Sequence, residues 1–172
     1  MAESYRPPLR KDAESRSKTQ SVETNTSAAQ AKVQEVLDNK DPRIFTIGQD
    51  QTLHRAVELL REYRIGALVV TDDAGKLSGI LSERDIVRKL ADTPGQTLPQ
   101  LVEDVMTRQV ETCTAEDLLV IVLRRMTDGR FRHMPVLDRG DLVGMVTIGD
   151  AVNFRLNQLE EEALQIKQLI VG

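Results

Sequence analysis

The feature that most limits what this chain can become is an internal duplication. Thr46 and Thr112 are 66 residues apart, as are Arg64 and Arg130, and Val70 and Val136. Downstream the offset becomes 65, held by Gly79 and Gly144, Ser82 and Thr147, and Asp85 and Asp150. The one-residue slip falls at a turn, where a duplicated unit tolerates a change of length. Self-similarity at a fixed period means that one supersecondary unit is built twice.

Hydrophobic periodicity gives the content of the unit. Val33, Val36 and Leu37 form a short helical stripe, ended by Asp38-Asn39-Lys40-Asp41-Pro42. Residues 43–47 read as a short strand. Leu53, Ala56, Val57, Leu59 and Leu60 recur at helical spacing, with Thr52 or Asp50 as cap. Residues 67–70 are a buried strand, turned at Asp72-Asp73-Ala74-Gly75, and 77–81 a second strand. Ser82 opens a helix through Ile86, Val87 and Leu90. The order then returns: strand 110–113, helix 118–126, strand 134–137, turn at Asp138-Arg139-Gly140-Asp141, strand 142–146, and a helix from Thr147. The fold class is α/β, two β-α-β-β-α repeats with pseudo-two-fold symmetry. Past Asp150 the apolar residues Leu156, Leu159, Leu164, Ile166, Leu169 and Ile170 continue as a long amphipathic helix, expected to be interrupted once. Residues 1–29 carry almost no large apolar side chains and read as a disordered tail. The expected division is tail 1–29, first repeat with its preceding helix 30–98, second repeat 99–155, and C-terminal helix 156–172.

Composition narrows the function. Of 172 residues 40% are hydrophobic but only 3% aromatic, and Trp is absent. The core must be aliphatic, and base-stacking platforms are not expected. A net charge of -4 argues against a nucleic-acid-binding regulator, the first alternative reading. The lone Cys113 makes no disulfide and no Cys-built metal site. No apolar run approaches membrane length and no signal peptide opens the chain, so a cytoplasmic protein without a membrane contact is expected.

The candidate chemistry lies in the repeated string, Gly79-Ile80-Leu81-Ser82-Glu83-Arg84-Asp85 and Gly144-Met145-Val146-Thr147-Ile148-Gly149-Asp150. A hydroxyl three residues before an acid at a helix start is a capping box. The cap does not explain the glycine, which allows close approach of another backbone or a ligand. A helix N-terminus also attracts anions, and an Asp one turn in can accept hydrogen bonds from both hydroxyls of a ribose. Arg130, Arg132 and His133 place three cationic or potentially cationic groups within four residues, a phosphate site by chemistry. Arg84 stands beside Asp85 within reach of the same phosphate. His54 has no metal-spaced partner and reads as a solvated helix residue. No nucleophile, base and acid are gathered, and no phosphate loop or dinucleotide fingerprint is present, so no catalytic residue and no metal ligand are assigned.

These strings, with Arg64-Ile65-Gly66-Ala67-Leu68-Val69-Val70 and Arg130-Phe131-Arg132-His133-Met134-Pro135-Val136, resemble tandem CBS domains (cystathionine-β-synthase domains), the pair often called a Bateman module. The resemblance covers residues 36–155 and is strongest to free-standing bacterial CBS-pair proteins. It implies a regulatory module, not an enzyme, with an adenosine ligand in clefts between the repeats: AMP or NAD, with ATP, ADP and S-adenosylmethionine as further possibilities. It implies that Asp85 and Asp150 hold ribose hydroxyls, that Ser82 and Thr147 contact ribose or phosphate, and that the backbones of Ile65-Gly66-Ala67 and His133-Met134-Pro135 line adenine slots. Thr107 would serve the second site. Lys40-Asp41 stand where the second copy has Met106-Thr107, a departure bearing on the first site. The resemblance also implies a homodimer that signals to a protein partner. The remaining alternative is a structural interaction module with empty clefts, which the intact Asp85 and Asp150 oppose.

Overall fold

The computed structural model describes residues 30–171; the tail expected over 1–29 lies outside them. The first helix, α1, is Val33–Asp38. The first repeat follows as β1 (Thr46–Gly48), α2 (Leu53–Tyr63), β2 (Ala67–Thr71), β3 (Leu77–Ser82) and α3 (Glu83–Asp92). A 3-10 turn over Val102–Asp104 leads into the second repeat: α4 (Leu119–Gly129), β4 (His133–Asp138), β5 (Asp141–Thr147) and α5 (Ile148–Val171). Among these helices none is long and apolar enough to cross a membrane.

The local signals explain most of this order. Thr52, not Asp50, caps α2, its hydroxyl accepting from the Arg55 amide at 3.3 Å. Both repeats end their first helix on an arginine in the left-handed region, Arg64 at φ 53° and Arg130 at φ 56°. This is the helix-terminating conformation that usually takes glycine. In the first sheet β1 pairs parallel with β2, and β2 antiparallel with β3; in the second, β4 and β5 pair antiparallel.

Two strand expectations shift. The strand expected over 43–47 begins only at Thr46, because Asp41 captures both the backbone amide and the guanidinium of Arg43 and turns the chain first. The strand expected over 110–113 reduces to a single parallel bridge, Cys113 to Val136. Pro135 supplies the reason. In the first repeat the Val69 amide donates to the Phe45 carbonyl at 3.0 Å. Pro135 occupies the place of Val69 and has no N–H to give Glu111. The second sheet therefore loses its third strand beyond Cys113, whose amide reaches the Pro135 carbonyl at 3.1 Å.

The last helix also differs from expectation: α5 runs unbroken across residue 156. After Gly149 it contains no glycine or proline up to Val171 and is rich in Leu, Gln and Glu, good helix formers. Arg155 ties successive turns by reaching Gln158 and Glu162.

The packing crosses the repeats over. One core gathers Leu53, Ala56, Leu68, Val70, Leu81 and Ile86 of the first repeat, but also Val102 and Met106, which lead into the second. The other gathers Val122, Met126, Met134, Val136 and Val146 of the second repeat with Ala31, Val33 and Val36. The helix that precedes the first repeat thus packs on the second. Backbone bonds fix the exchange: Leu119 donates to the Ala31 carbonyl at 2.8 Å, and Leu53 to the Gln100 carbonyl at 2.9 Å.

The duplicated glycines mark the points of closest approach. A Cβ on Gly79 would lie 2.6 Å from Met106 Sδ and 3.0 Å from the Thr107 carbonyl oxygen; one on Gly144 would lie 2.9 Å from Leu37. Each glycine admits the entry segment of the other repeat. Gly79 meets backbone, which moves least. Gly79→Ala is accordingly expected to destabilise the protein by about 1–3 kcal/mol, the usual cost of overpacking. Denaturant unfolding followed by circular dichroism measures this, and an unchanged midpoint contradicts the crossover contact. Cys113 is buried in the second core, and desolvation pushes its thiol up to about 11. Alkylation at neutral pH should therefore modify it only as the protein unfolds, measured as labelling that tracks the unfolding transition.

Candidate functional site

The structure has two spaces beside the duplicated acids, and they differ in place as well as in size. The larger, of about 530 Å³, opens between the repeats at the start of α3. Ser82 caps α3: its hydroxyl accepts from the Asp85 amide at 3.3 Å, while its own amide and hydroxyl donate to Asp85 Oδ2 at 2.9 and 2.6 Å. Oδ1 of Asp85 accepts no bond from the described residues. The capping box and the candidate ribose acceptor are therefore the same carboxylate, with one oxygen engaged.

The second repeat supplies the facing wall. Arg130, Phe131, Arg132 and His133 line the cavity from the turn between α4 and β4. Arg84 crosses to this wall, donating through Nη1 to the Arg130 carbonyl at 2.7 Å. A Cβ on Gly66 would lie 3.4 Å from the His133 ring, so the two equivalent turns meet closely across the pseudo-two-fold. Burial lowers the His133 pKa; Asp150 opposes this, and Arg132, Lys40 and Arg84 add to the lowering. His133 is thus held towards its neutral form beside arginines. The lining carries four guanidinium groups, from Arg84, Arg88, Arg130 and Arg132, against the carboxylates of Glu83, Asp85 and Glu111. That balance suits an anion with a hydroxylated, uncharged body.

Thr107 lies in this cleft too, which corrects its assignment. It was expected to serve the second site, but its amide donates to the Ile80 carbonyl at 2.9 Å and its carbonyl accepts from the Ile80 amide at 3.0 Å. The crossover of entry segments carries it to Asp85 rather than to Asp150. The same exchange carries Lys40 to the opposite cleft. There Lys40 Nζ donates to Asp150 Oδ2 at 2.6 Å and to the Met145 carbonyl at 2.9 Å. Thr147 and Asp150 form the second capping box, the Thr147 amide donating to Asp150 Oδ2 and the Asp150 amide to the Thr147 hydroxyl, both at 3.0 Å. Neither lines the larger cavity. Asp150 borders a space of only about 120 Å³ with Lys40, Asn39, Phe154 and Asn157.

Of the expected site residues, Ser82, Arg84, Asp85, Gly66, Thr107, Arg130, Arg132 and His133 come together in one cleft. Ile65, Ala67, Met134 and Pro135 do not line it. Side chains alternate along a strand, so His133 faces the cleft while Met134 turns into the second core, and Ile65 packs against the first. Arg88 and Gln109 were not anticipated. Arg88 stands four residues beyond Arg84 on α3, a helical spacing that places both on one face. Gln109 belongs to a segment whose course depends on the crossover and carries no local signal. His54 stays on an exposed helix face near Glu58. Among the described residues no three His, Cys, Asp or Glu side chains are gathered to hold a metal ion.

This geometry has counterparts. The family described as CBS domain matches residues 33–92 and again 102–157. The mitochondrial CBS domain-containing protein CBSX3 of Arabidopsis thaliana is 34% identical over 127 residues, covering 72% of this chain and 62% of that relative. The chain thus spans under two thirds of that relative's length, and about 31% of another from the same plant, CBSCBSPB2. Among solved structures, a CBS-domain-containing protein from Agrobacterium tumefaciens superposes with a TM-score of 0.71 at 38% identity, covering 73% of this chain and 99% of that one. The CBS domain pair of the protein MJ0100, solved with 5'-methylthioadenosine and S-adenosyl-L-methionine, superposes with a TM-score of 0.63 at 25% identity over 72% of this chain and 98% of that one. A capping-box string used twice, two crossed cores and a cleft between paired repeats meet a family match to each repeat, and the chain belongs to the CBS-domain family as a tandem CBS-domain protein.

Proposed function

We propose that this chain is a regulatory module that binds an adenosine-containing anion, AMP or NAD in the first place, in the cleft beside Asp85. CBS pairs are in general regulatory ligand-binding modules. The observation that carries the finer reading is the 530 Å³ cleft, where a carboxylate with one unengaged oxygen stands among four arginines. Its volume falls in the range of about 300–1,000 Å³ that small-molecule sites occupy. Asp85 takes the ribose hydroxyls, and Arg132 with Arg130, Arg84 or Arg88 takes phosphate. ATP and ADP fit the same charge. S-adenosylmethionine, bound by the MJ0100 pair, shares the ribose and adenine contacts, but its sulfonium gains nothing from the arginines.

The reading is of binding without turnover. Ser82 is engaged with Asp85, and Cys113 is buried far into the protonated range. Ligand state then passes outward by biasing how the repeats sit. The reading includes a cytoplasmic homodimer that reports to a protein partner. Leu156, Leu159, Leu164 and Ile166 on the outer half of α5 are 44–60% exposed and support such pairing.

Three measurements test it. Asp85→Ala should weaken AMP binding by about 1.5–3 kcal/mol, the size of a lost charge-assisted hydrogen-bond set. Calorimetry showing unchanged affinity for AMP, ATP and NAD contradicts the assignment. Arg132→Ala should reduce affinity for AMP more than for adenosine, and equal losses would make its role one of packing. His133 gives the pH signature. Its pKa is depressed in the free protein, and a bound phosphate beside it must raise that value. The complex then holds more protons than its parts between the two values, so AMP binding takes up protons and tightens as pH falls through that window. Calorimetry in buffers of different ionisation enthalpy reads the uptake directly. His133→Gln should lose that contribution, while adenosine should show none.

A further inference from the structure

We infer that the outer part of α5 pairs with a second copy of this chain as a parallel, in-register, two-stranded coiled coil; this deepens the homodimer of the function proposed above and does not depend on the ligand. Only the start of α5 is held by its own chain. Ala151 is buried, and Phe154 packs against the second core. Among the described residues, none of α5 beyond Phe154 packs against either core. The helix nevertheless continues to Val171, and a helical segment of that length without a packing partner is marginal in water.

The exposed side carries a seam. Val152, Leu156, Leu159, Ala163, Ile166 and Ile170 follow one another in alternating steps of four and three residues. That is the spacing of d and a positions in a heptad repeat. All six are exposed, the five larger ones by 44–79%. The seam lies about 130° around the helix from Ala151 and Phe154, so it turns away from the core that anchors α5. Leu164 is equally exposed but lies off the seam.

The flanking charges select the partner and its direction. Arg155 and Glu162 take g positions, and Glu160 and Lys167 take e positions. In a parallel pair each g residue meets the e residue of the following heptad on the other helix. Arg155 then faces the partner's Glu160, and Glu162 faces the partner's Lys167. Both contacts join opposite charges, and the two-fold axis repeats each of them. Arg155 reaches Gln158 and Glu162 of its own helix through Nη1, which leaves Nη2 for the partner. An antiparallel pair sets e against e and g against g. Aligning the same six seam residues then centres it on Glu161, with Glu160 against the partner's Glu160 and Glu162 against the partner's Glu162. Those like charges oppose the antiparallel sense.

Light scattering on the full chain, over a range of concentrations, reads the assembly. The parent should have twice the mass of one chain. Leu159→Glu with Ile166→Glu should raise the dimer dissociation constant by roughly a hundredfold or more, since each chain loses two buried aliphatic side chains. Leu164→Glu should leave the dimer intact. Circular dichroism checks folding, and Leu159→Ala with Ile166→Ala serves if the charged variant does not fold. Ile166→Cys reads the direction. In the parallel pair residue 166 meets its copy and should cross-link on mild oxidation, whereas in the antiparallel pair the two are about 15 Å apart along the axis. Cys113 is buried, so the parent is the control and should not cross-link. A dimer that survives both seam variants, a trimer or tetramer, or an Ile166→Cys dimer that does not cross-link overturns the inference and leaves the proposed homodimer to another surface. A parent that stays monomeric overturns the inference and the homodimer together, and AMP calorimetry on the same protein then judges the ligand reading separately.

Discussion

The rest of the structure depends on the reciprocal docking of two entry segments. Each repeat alone is too small to close its own core: one sheet has three strands and the other two. Val102 and Met106 complete the first core, and Ala31, Val33 and Val36 the second. Because each segment is continuous with the repeat it does not pack on, neither core forms fully without the other. Burying large aliphatic side chains contributes about 1.5–3 kcal/mol each, so the exchange couples the repeats through apolar contact as well as through the bonds from Leu119 to Ala31 and Leu53 to Gln100. The glycines at 79 and 144 are the steric condition for this arrangement, because the segments pass where a Cβ would stand.

The same crossover creates the clefts and makes them differ. Whatever residue the entry segment carries at the crossing point is delivered beside the acid of the opposite repeat. The segment ahead of the second repeat delivers Thr107, whose backbone makes the contact and leaves Asp85 accessible. The segment ahead of the first delivers Lys40, whose side chain makes the contact and forms an ion pair with Oδ2 of Asp150. A duplication that is nearly symmetric in backbone thus becomes asymmetric in electrostatics. Arg84 and Arg130 join the walls of the larger cleft directly, so a contact that relates the two repeats forms part of the cleft itself.

Much of this was legible in the residues. The capping boxes at Ser82 and Thr147 depend on groups three residues apart, so a local reading finds them. The buried strands around Val70 and Val136 and the helix of Leu53 to Leu60 are set by periodicity, which packing on one face enforces. Arg132 and His133 announced themselves by charge density. What escaped reading was non-local. The missing strand at 110–113 follows from a proline on a different strand, Pro135, which withholds one donor. The continuity of α5 was legible after all, since no breaker interrupts it.

By itself the sequence determined the duplication, the order of the elements, the helix caps and the identity of the acids and arginines, because each is decided by residues within a turn or a strand of one another. Only the tertiary structure decided which entry segment meets which acid. Thr107 and Lys40 are each distant in sequence from the carboxylate they serve, and nothing local says that the segments cross. That choice follows from where apolar surface is buried once both repeats are present, and it assigns the open cleft to Asp85 and the ion pair to Asp150.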